Sequence, residues 1–133
     1  MNESIAGTFA GGIFAITLLS QDLEASRDFY SNKLGLVEVY KDDVSSVFNA
    51  GNTMINLLSV SEADVLLDPV KYDSSKTGTN AVYTLKCADV DAVANQLKAN
   101  GVVSLSGPID RPWGIRTASF QDPSGHTWEL ANH

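Results

Sequence analysis

The chain has 133 residues, 44% of them hydrophobic, enough for one domain that buries about two thirds of its unfolded surface without metal or disulfide staples. A single cysteine, Cys87, excludes an intrachain disulfide framework and a multi-cysteine zinc cage, and fits the reducing cytoplasm expected as its location. Against 16 acidic residues stand 9 basic ones, and the net charge of −7 repels a phosphate backbone, so no nucleic-acid partner is expected.

Residues 1–12 carry no basic leader and are rich in Gly and other small residues; they read as a loosely held arm without a signal peptide. No apolar run in the chain approaches the roughly 20 residues of a bilayer span, and no membrane partner is expected. Residues 13–20 form a short, nearly continuous apolar run that reads as a strand. Asp22 can then cap a helix over residues 23–34, with Leu23, Phe29, Tyr30 and Leu34 on one apolar stripe and Gly35 as its stop. Strands follow at 36–41, 45–49 and 53–60, separated by Asp42-Asp43 and by Ala50-Gly51-Asn52. Residues 13–60 are thus a β-α-β-β-β module.

Residues 61–79 are polar and turn-rich, long for a connector, and such segments are functional covers or mobile linkers. The pattern then restarts across residues 80–133. Residues 80–87 read as a strand, Asp89 as a helix cap, 90–99 as an amphipathic helix closed by Asn100-Gly101, and 102–105, 116–121 and 126–131 as three strands. The interval from Asp22 to Asp89 nearly equals that from Gly35 to Gly101, so order and spacing both repeat and an internal duplication follows. The expected architecture is α+β: two βαβββ modules forming curved mixed sheets, with helices on the convex side and a concave pocket opposite.

Asp122-Pro123-Ser124-Gly125 supplies turn chemistry, and beyond it the strand period places Thr127, Glu129 and Ala131 on one face and His126, Trp128 and Leu130 on the other. If Glu129 faces the pocket, the same parity lines it with Ala15, Thr17 and Leu19, with Met54, Asn56 and Leu58, and with Val82, Thr84 and Lys86. An apolar wall with a few polar points suits a small-molecule site, and it equally suits a sheet face closed by a second subunit. Trp113, in a Pro-Trp-Gly turn, either stacks on a planar or cationic ligand at the mouth or packs within its loop. Trp128, Phe29 and Tyr30 belong to helix and sheet packing. Arg116 is expected to pair at the surface with Asp110 or Asp122, and Cys87 lies away from the pocket with no base beside it.

Several stretches together resemble one known family. They are Leu23-Glu24-Ala25-Ser26-Arg27-Asp28-Phe29-Tyr30 through Leu34-Gly35-Leu36, the helix entry Asp89-Val90-Asp91, and Asp122-Pro123-Ser124-Gly125-His126-Thr127-Trp128-Glu129-Leu130. In order, over about residues 13–131, they resemble the vicinal oxygen chelate superfamily, which includes glyoxalases, bleomycin-resistance proteins and extradiol dioxygenases. Pro112-Trp113-Gly114-Ile115-Arg116 is similar to its bleomycin-resistance branch. The resemblance implies metal ligands on the first and last strand of each module in the metal-dependent members. Here the matching first-strand positions hold Ala15 and Val82, and the last strands offer Asn56 and Glu129, too few donors for a catalytic metal. His126 falls on the face opposite Glu129 and His133 is the final residue, so neither completes the set. No metal and no cofactor are expected. What the resemblance implies is a metal-independent binding protein, a homodimer that sequesters a cationic or aromatic drug, with Thr17, Asn56, Thr84, Trp113 and Glu129 as ligand-binding residues. The alternatives are an enzyme of the superfamily with a reduced site, in which Glu129 is the general base and Asn56 orients substrate, and a structural interaction module.

Overall fold

Asp22 and Asp89 set where each half of the chain turns from strand to helix. In the computed structural model, which describes residues 5–9 and 11–132, each stands in extended backbone and accepts a first-turn amide, from Ala25 at 3.1 Å and from Ala92 at 3.0 Å. The caps satisfy amides that have no partner inside the helix. Helix α1 (Leu23–Asp28) opens after the first cap and α3 (Val90–Ala99) after the second; between them the connector carries a short α2 (Ala63–Leu67).

The first module contains β1 (Ala15–Ser20), β2 (Val37–Lys41), β3 (Ser45–Asn49) and β4 (Met54–Ser59), ordered β1-β4-β3-β2. The second contains β5 (Tyr83–Lys86), β6 (Ser104–Asp110), β7 (Arg116–Gln121) and β8 (Thr127–Ala131), ordered β5-β8-β7-β6. In both, the first strand pairs parallel with the last and the remaining neighbours are antiparallel. A parallel pair needs a long crossover, which the helix and the intervening hairpin provide. The sheets are mixed and do not close on themselves.

Three local features depart from the expectation. Helix α1 does not run evenly to residue 34: it widens into a π-helical turn over Phe29–Lys33, with Leu34 N–H donating to Phe29 O at 2.9 Å, before Gly35 reverses the chain at φ 75°. Strand β6 does not stop at Leu105 but continues through Gly107-Pro108, with its register against β7 shifting twice. The connector is not wholly irregular, since 3-10 turns at Val60–Glu62 and Ser74–Lys76 flank α2. Of the expected N-terminal arm, residues 1–4 and 10 lie outside the described residues, as does His133. Among the described residues no helix is long and apolar enough to cross a membrane.

Helices α1 and α3 share one side of the sheets. Leu18, Phe48, Ile55 and Leu57 from the first sheet join Ala118, Phe120, Trp128 and Leu130 from the second in a single buried cluster that also takes Phe29, Tyr30, Val90 and Leu97 from the helices. Tyr30, wholly buried, is the knot. Its ring lies 5.9 Å from that of Phe48 and 6.1 Å from that of Trp128, its hydroxyl donates to Asp122 Oδ2 at 2.6 Å, and Trp128 Nε1 donates to it at 3.0 Å. Asp122 is therefore not the partner of Arg116. It is buried against Tyr30 and the amides of Ser124 and His126, while Arg116 pairs with Asp110 as expected and also with Asp91 at the start of α3, at 2.7 Å.

Candidate functional site

The faces opposite the helices carry the site residues. Strand alternation puts Thr17 and Asn56 side by side on β1 and β4, and Thr84 and Glu129 side by side on β5 and β8, at equivalent places in the two modules. Asn56 Nδ2 lies 3.4 Å from Thr17 Oγ1, and Thr84 Oγ1 donates to Glu129 Oε1 at 2.8 Å. Both threonines are exposed; Asn56 and Glu129 are half-buried. The register adds two wall residues that strand parity alone had not singled out, Val47 beside Asn56 and Ser119 beside Glu129. They follow only once β3 and β7 are aligned with their neighbours.

Trp113 is carried separately. It stands 69% exposed in the loop beyond the Asp110–Arg116 pair, with the Arg111 guanidinium 5.8 Å over its ring. The loop is closed by Arg111 N–H to Ile115 O at 2.8 Å, and Gly114, at φ 93°, makes the reversal. Arg111 Nε also donates to Thr117 Oγ1 at 2.9 Å, so the cation over the indole is anchored to the sheet.

The connector roofs the β1 end of the open face. A cleft of about 290 Å³ lies between Thr17 and Leu19 on one side and Leu67, Val70 and Tyr72 on the other, with His126 at its edge. His126 Nε2 donates to Leu19 O at 2.8 Å, which ties the β7–β8 turn to β1 and commits that nitrogen. The connector is held from below where Thr127 Oγ1 donates to Gly78 O at 3.0 Å. At Gly78 φ is +80°, and a Cβ there would lie 2.2 Å from Gly125 O. Gly78→Ala is therefore expected to lift the connector: stability should fall by about 2–3 kcal/mol and trypsin cleavage at Lys71 and Lys76 should accelerate. Gly51→Ala, with φ +89° and nothing within 4 Å of its Cβ, should lose only about 1 kcal/mol.

The donors on these faces do not fit a transition-metal centre. The side chains of Ala15 and Val82 have no lone pair to give, Asn56 offers a neutral amide, and Glu129 supplies a single carboxylate, which accepts from the Thr84 hydroxyl. Among the described residues no cluster of at least three His, Cys, Asp or Glu side chains is placed to hold an ion, whereas catalytic zinc sites use three protein ligands. What the walls can do is accept and donate hydrogen bonds within an apolar surround.

Residues 12–130 match the family model of the glyoxalase/bleomycin resistance protein/dioxygenase superfamily. Over 122 residues the chain is 30% identical to the uncharacterized protein YraH of Bacillus subtilis (strain 168), a match covering 89% of this chain and 95% of that one. A glyoxalase-related enzyme from Fulvimarina pelagi superposes with a TM-score of 0.78 at 24% identity, covering 90% of this chain and 86% of its own. A lactoylglutathione lyase from Agrobacterium tumefaciens superposes at 0.72 with 22% identity, covering 90% and 92%. At those identities the two solved structures share the fold.

Proposed function

The chain belongs to the glyoxalase/bleomycin resistance protein/dioxygenase superfamily, and from that membership we propose that it is a metal-independent small-molecule binding protein of the bleomycin-resistance kind. The observation that carries this reading is the make-up of the open faces, where Thr17 with Asn56 sits among Ala15, Leu19, Val47, Met54 and Leu58, and Thr84 with Glu129 beside Ser119 and Ala131, without a metal-binding donor set among the described residues. Apolar area supplies affinity and the polar pairs fix orientation. Two copies pairing would close the faces into clefts. Support comes from apolar residues exposed on and beside the edge strands, Val37 at 67%, Tyr40 at 53% and Ile109 at 44%. A net charge of −7 draws cationic ligands by long-range attraction, and Glu129 is the carboxylate that would meet them.

Titration with bleomycin, a basic glycopeptide, is the test. Trp128 is 2% exposed and Trp113 69%, so quenching of emission reports on Trp113. Saturable quenching that Glu129→Gln weakens about tenfold is the expected result. An unchanged spectrum across bleomycin and a panel of cationic aromatic compounds would remove the binding account. A second reading rests on Glu129 itself, held half-buried by the Thr84 hydroxyl: a superfamily enzyme in which this carboxylate acts as general base and Asn56 orients substrate. Turnover abolished by Glu129→Gln would put that reading first.

A further inference from the structure

The two modules differ at one equivalent place. Arg27 and Ala94 stand the same number of residues after their caps, Asp22 and Asp89, and the sheet residues beneath them are also equivalent: Ser46 beside Leu57 in the first module, Ala118 beside Leu130 in the second. In the first module Arg27 is 8% exposed and its Nε donates to Ser46 Oγ at 2.5 Å, so the guanidinium fills the space between helix and sheet. In the second module that space is a cleft of about 520 Å³ between α3 and β6–β7, and Ala94, Ala118 and Leu130 all line it.

The cleft is on the helix side, opposite Glu129, and of the open-face residues named above Ser119 alone also lines it. Its floor is apolar and buried: Leu97, Val102, Ala118, Phe120 and Leu130. Val103, which lines it, is 80% exposed, and Leu105, 54% exposed, stands where β6 shifts register against β7. Among the described residues the only charged one lining it is Lys98. The Lys33 side chain reaches the lining residue Gly101, where a Cβ would lie 3.8 Å from Lys33 Nζ. Among the described residues neither lysine has an ion-pair partner. In a chain of net charge −7, two unengaged ammonium groups at the mouth of an apolar cleft favour an anionic head on an apolar body.

We infer that this cleft binds a small amphipathic monocarboxylate, its chain on Leu97, Phe120 and Leu130 and its carboxylate at Lys98 with Lys33 alongside. The site is independent of the binding faces, because it uses the other side of the second sheet. Calorimetric titration of the whole protein with hexanoate, octanoate and decanoate below micellar concentrations tests it. Saturable one-to-one binding is expected, tightening by up to about fourfold for each added methylene, with decyltrimethylammonium at least about tenfold weaker. Lys98→Glu, on an exposed position, should weaken decanoate about tenfold, and Ala94→Phe should block it. Glu129→Gln should leave decanoate binding unchanged.

Absence of saturable binding, indifference to chain length, equal affinity for the cationic homologue, or an unaltered Kd in Lys98→Glu would each overturn the inference. So would loss of decanoate binding in Glu129→Gln, which would move the ligand to the opposite face. A dimer that Leu105→Glu dissociates, in a protein that takes no decanoate, would assign the cleft to a second copy of the chain and overturn the inference as well.

Discussion

Tyr30→Ala should lose about 4–5 kcal/mol of folding stability, from a total that for a domain of this size is roughly 5–15 kcal/mol. The ring is wholly buried, 5.1 Å from Phe29 and 5.9 Å from Phe48, so truncation opens a cavity where the two modules meet. It also strands two polar atoms, Asp122 Oδ2 and the Trp128 N–H. Tyr30→Phe keeps the ring and separates these effects; leaving the two partners unmet should cost about 1–3 kcal/mol. The pH dependence adds a sharper check. Burial first, and then the Asp122 carboxylate, holds the Tyr30 phenol far above its ordinary range. In the unfolded chain it ionises near pH 10, whereas in the folded protein it keeps its proton. The folded pKa is raised, so this stabilisation is whole below about pH 10 and falls above it by about 1.4 kcal/mol per pH unit. Urea unfolding of the parent protein and Tyr30→Phe at pH 7, 10 and 11 should show the gap between them narrowing above pH 10. A constant gap would mean that the phenol is not shielded as described.

The duplication was legible because its punctuation is local. Asp22 and Asp89 cap with their own side chains, and Gly35 and Gly101 take left-handed backbone at φ 75° and 90°, so the helix entries and exits follow from single residues. Strand faces were legible for the same reason, since a period of two needs no partner, and Thr17, Asn56, Thr84 and Glu129 share the predicted parity. What parity lacks is register. That Thr17 lies beside Asn56 and Thr84 beside Glu129 comes from the strand order, with the parallel first and last strands adjacent.

Features that depend on distant packing were not readable. The π-helical turn at Phe29–Lys33 accompanies the burial of both Phe29 and Tyr30 against residues from both sheets. Gly107-Pro108 looks like a strand end, but β6 is an edge strand, where a missing amide on the solvent side breaks no ladder. Asp122 looked like a surface partner for Arg116 because turn residues are ordinarily exposed; only the fold brings Tyr30 over it. Strand parity points to a pocket on the concave side alone. A space left between α3 and its sheet is set by a missing side chain in one of two equivalent positions, and it becomes visible when the modules are compared residue by residue.

Arg27 carries the other large effect. Its guanidinium, 8% exposed, donates to Ser46 Oγ at 2.5 Å and to the Ser45 carbonyl at 2.9 Å, and it also reaches the Asp42 carbonyl and Glu24. Glu24 is 77% exposed and contributes little; the weight lies in the buried Ser46 hydroxyl and the two turn carbonyls, which no other described side chain meets. Arg27→Ala is expected to lose about 3–4 kcal/mol by removing the donor to the Ser46 hydroxyl and the Asp42 carbonyl and leaving the Ser45 carbonyl with the Asp42 N–H alone. Arg27→Lys should recover part of that, because one ammonium cannot span acceptors that a planar fork reaches together. Hydrogen exchange should quicken first at the Val44 and Ser45 amides, which Asp42 Oδ1 holds at 2.9 Å and 2.8 Å in the same turn. Arg27→Ala also gives the first module the short helix side chain that Ala94 supplies in the second, with Ser46 in place of Ala118, so the variant should gain a cleft over Ser46 and Leu57. A stability loss below about 1 kcal/mol with no new cavity in its crystal structure would show that the guanidinium lies in solvent, and that the two modules are not distinguished by the side chain at this position.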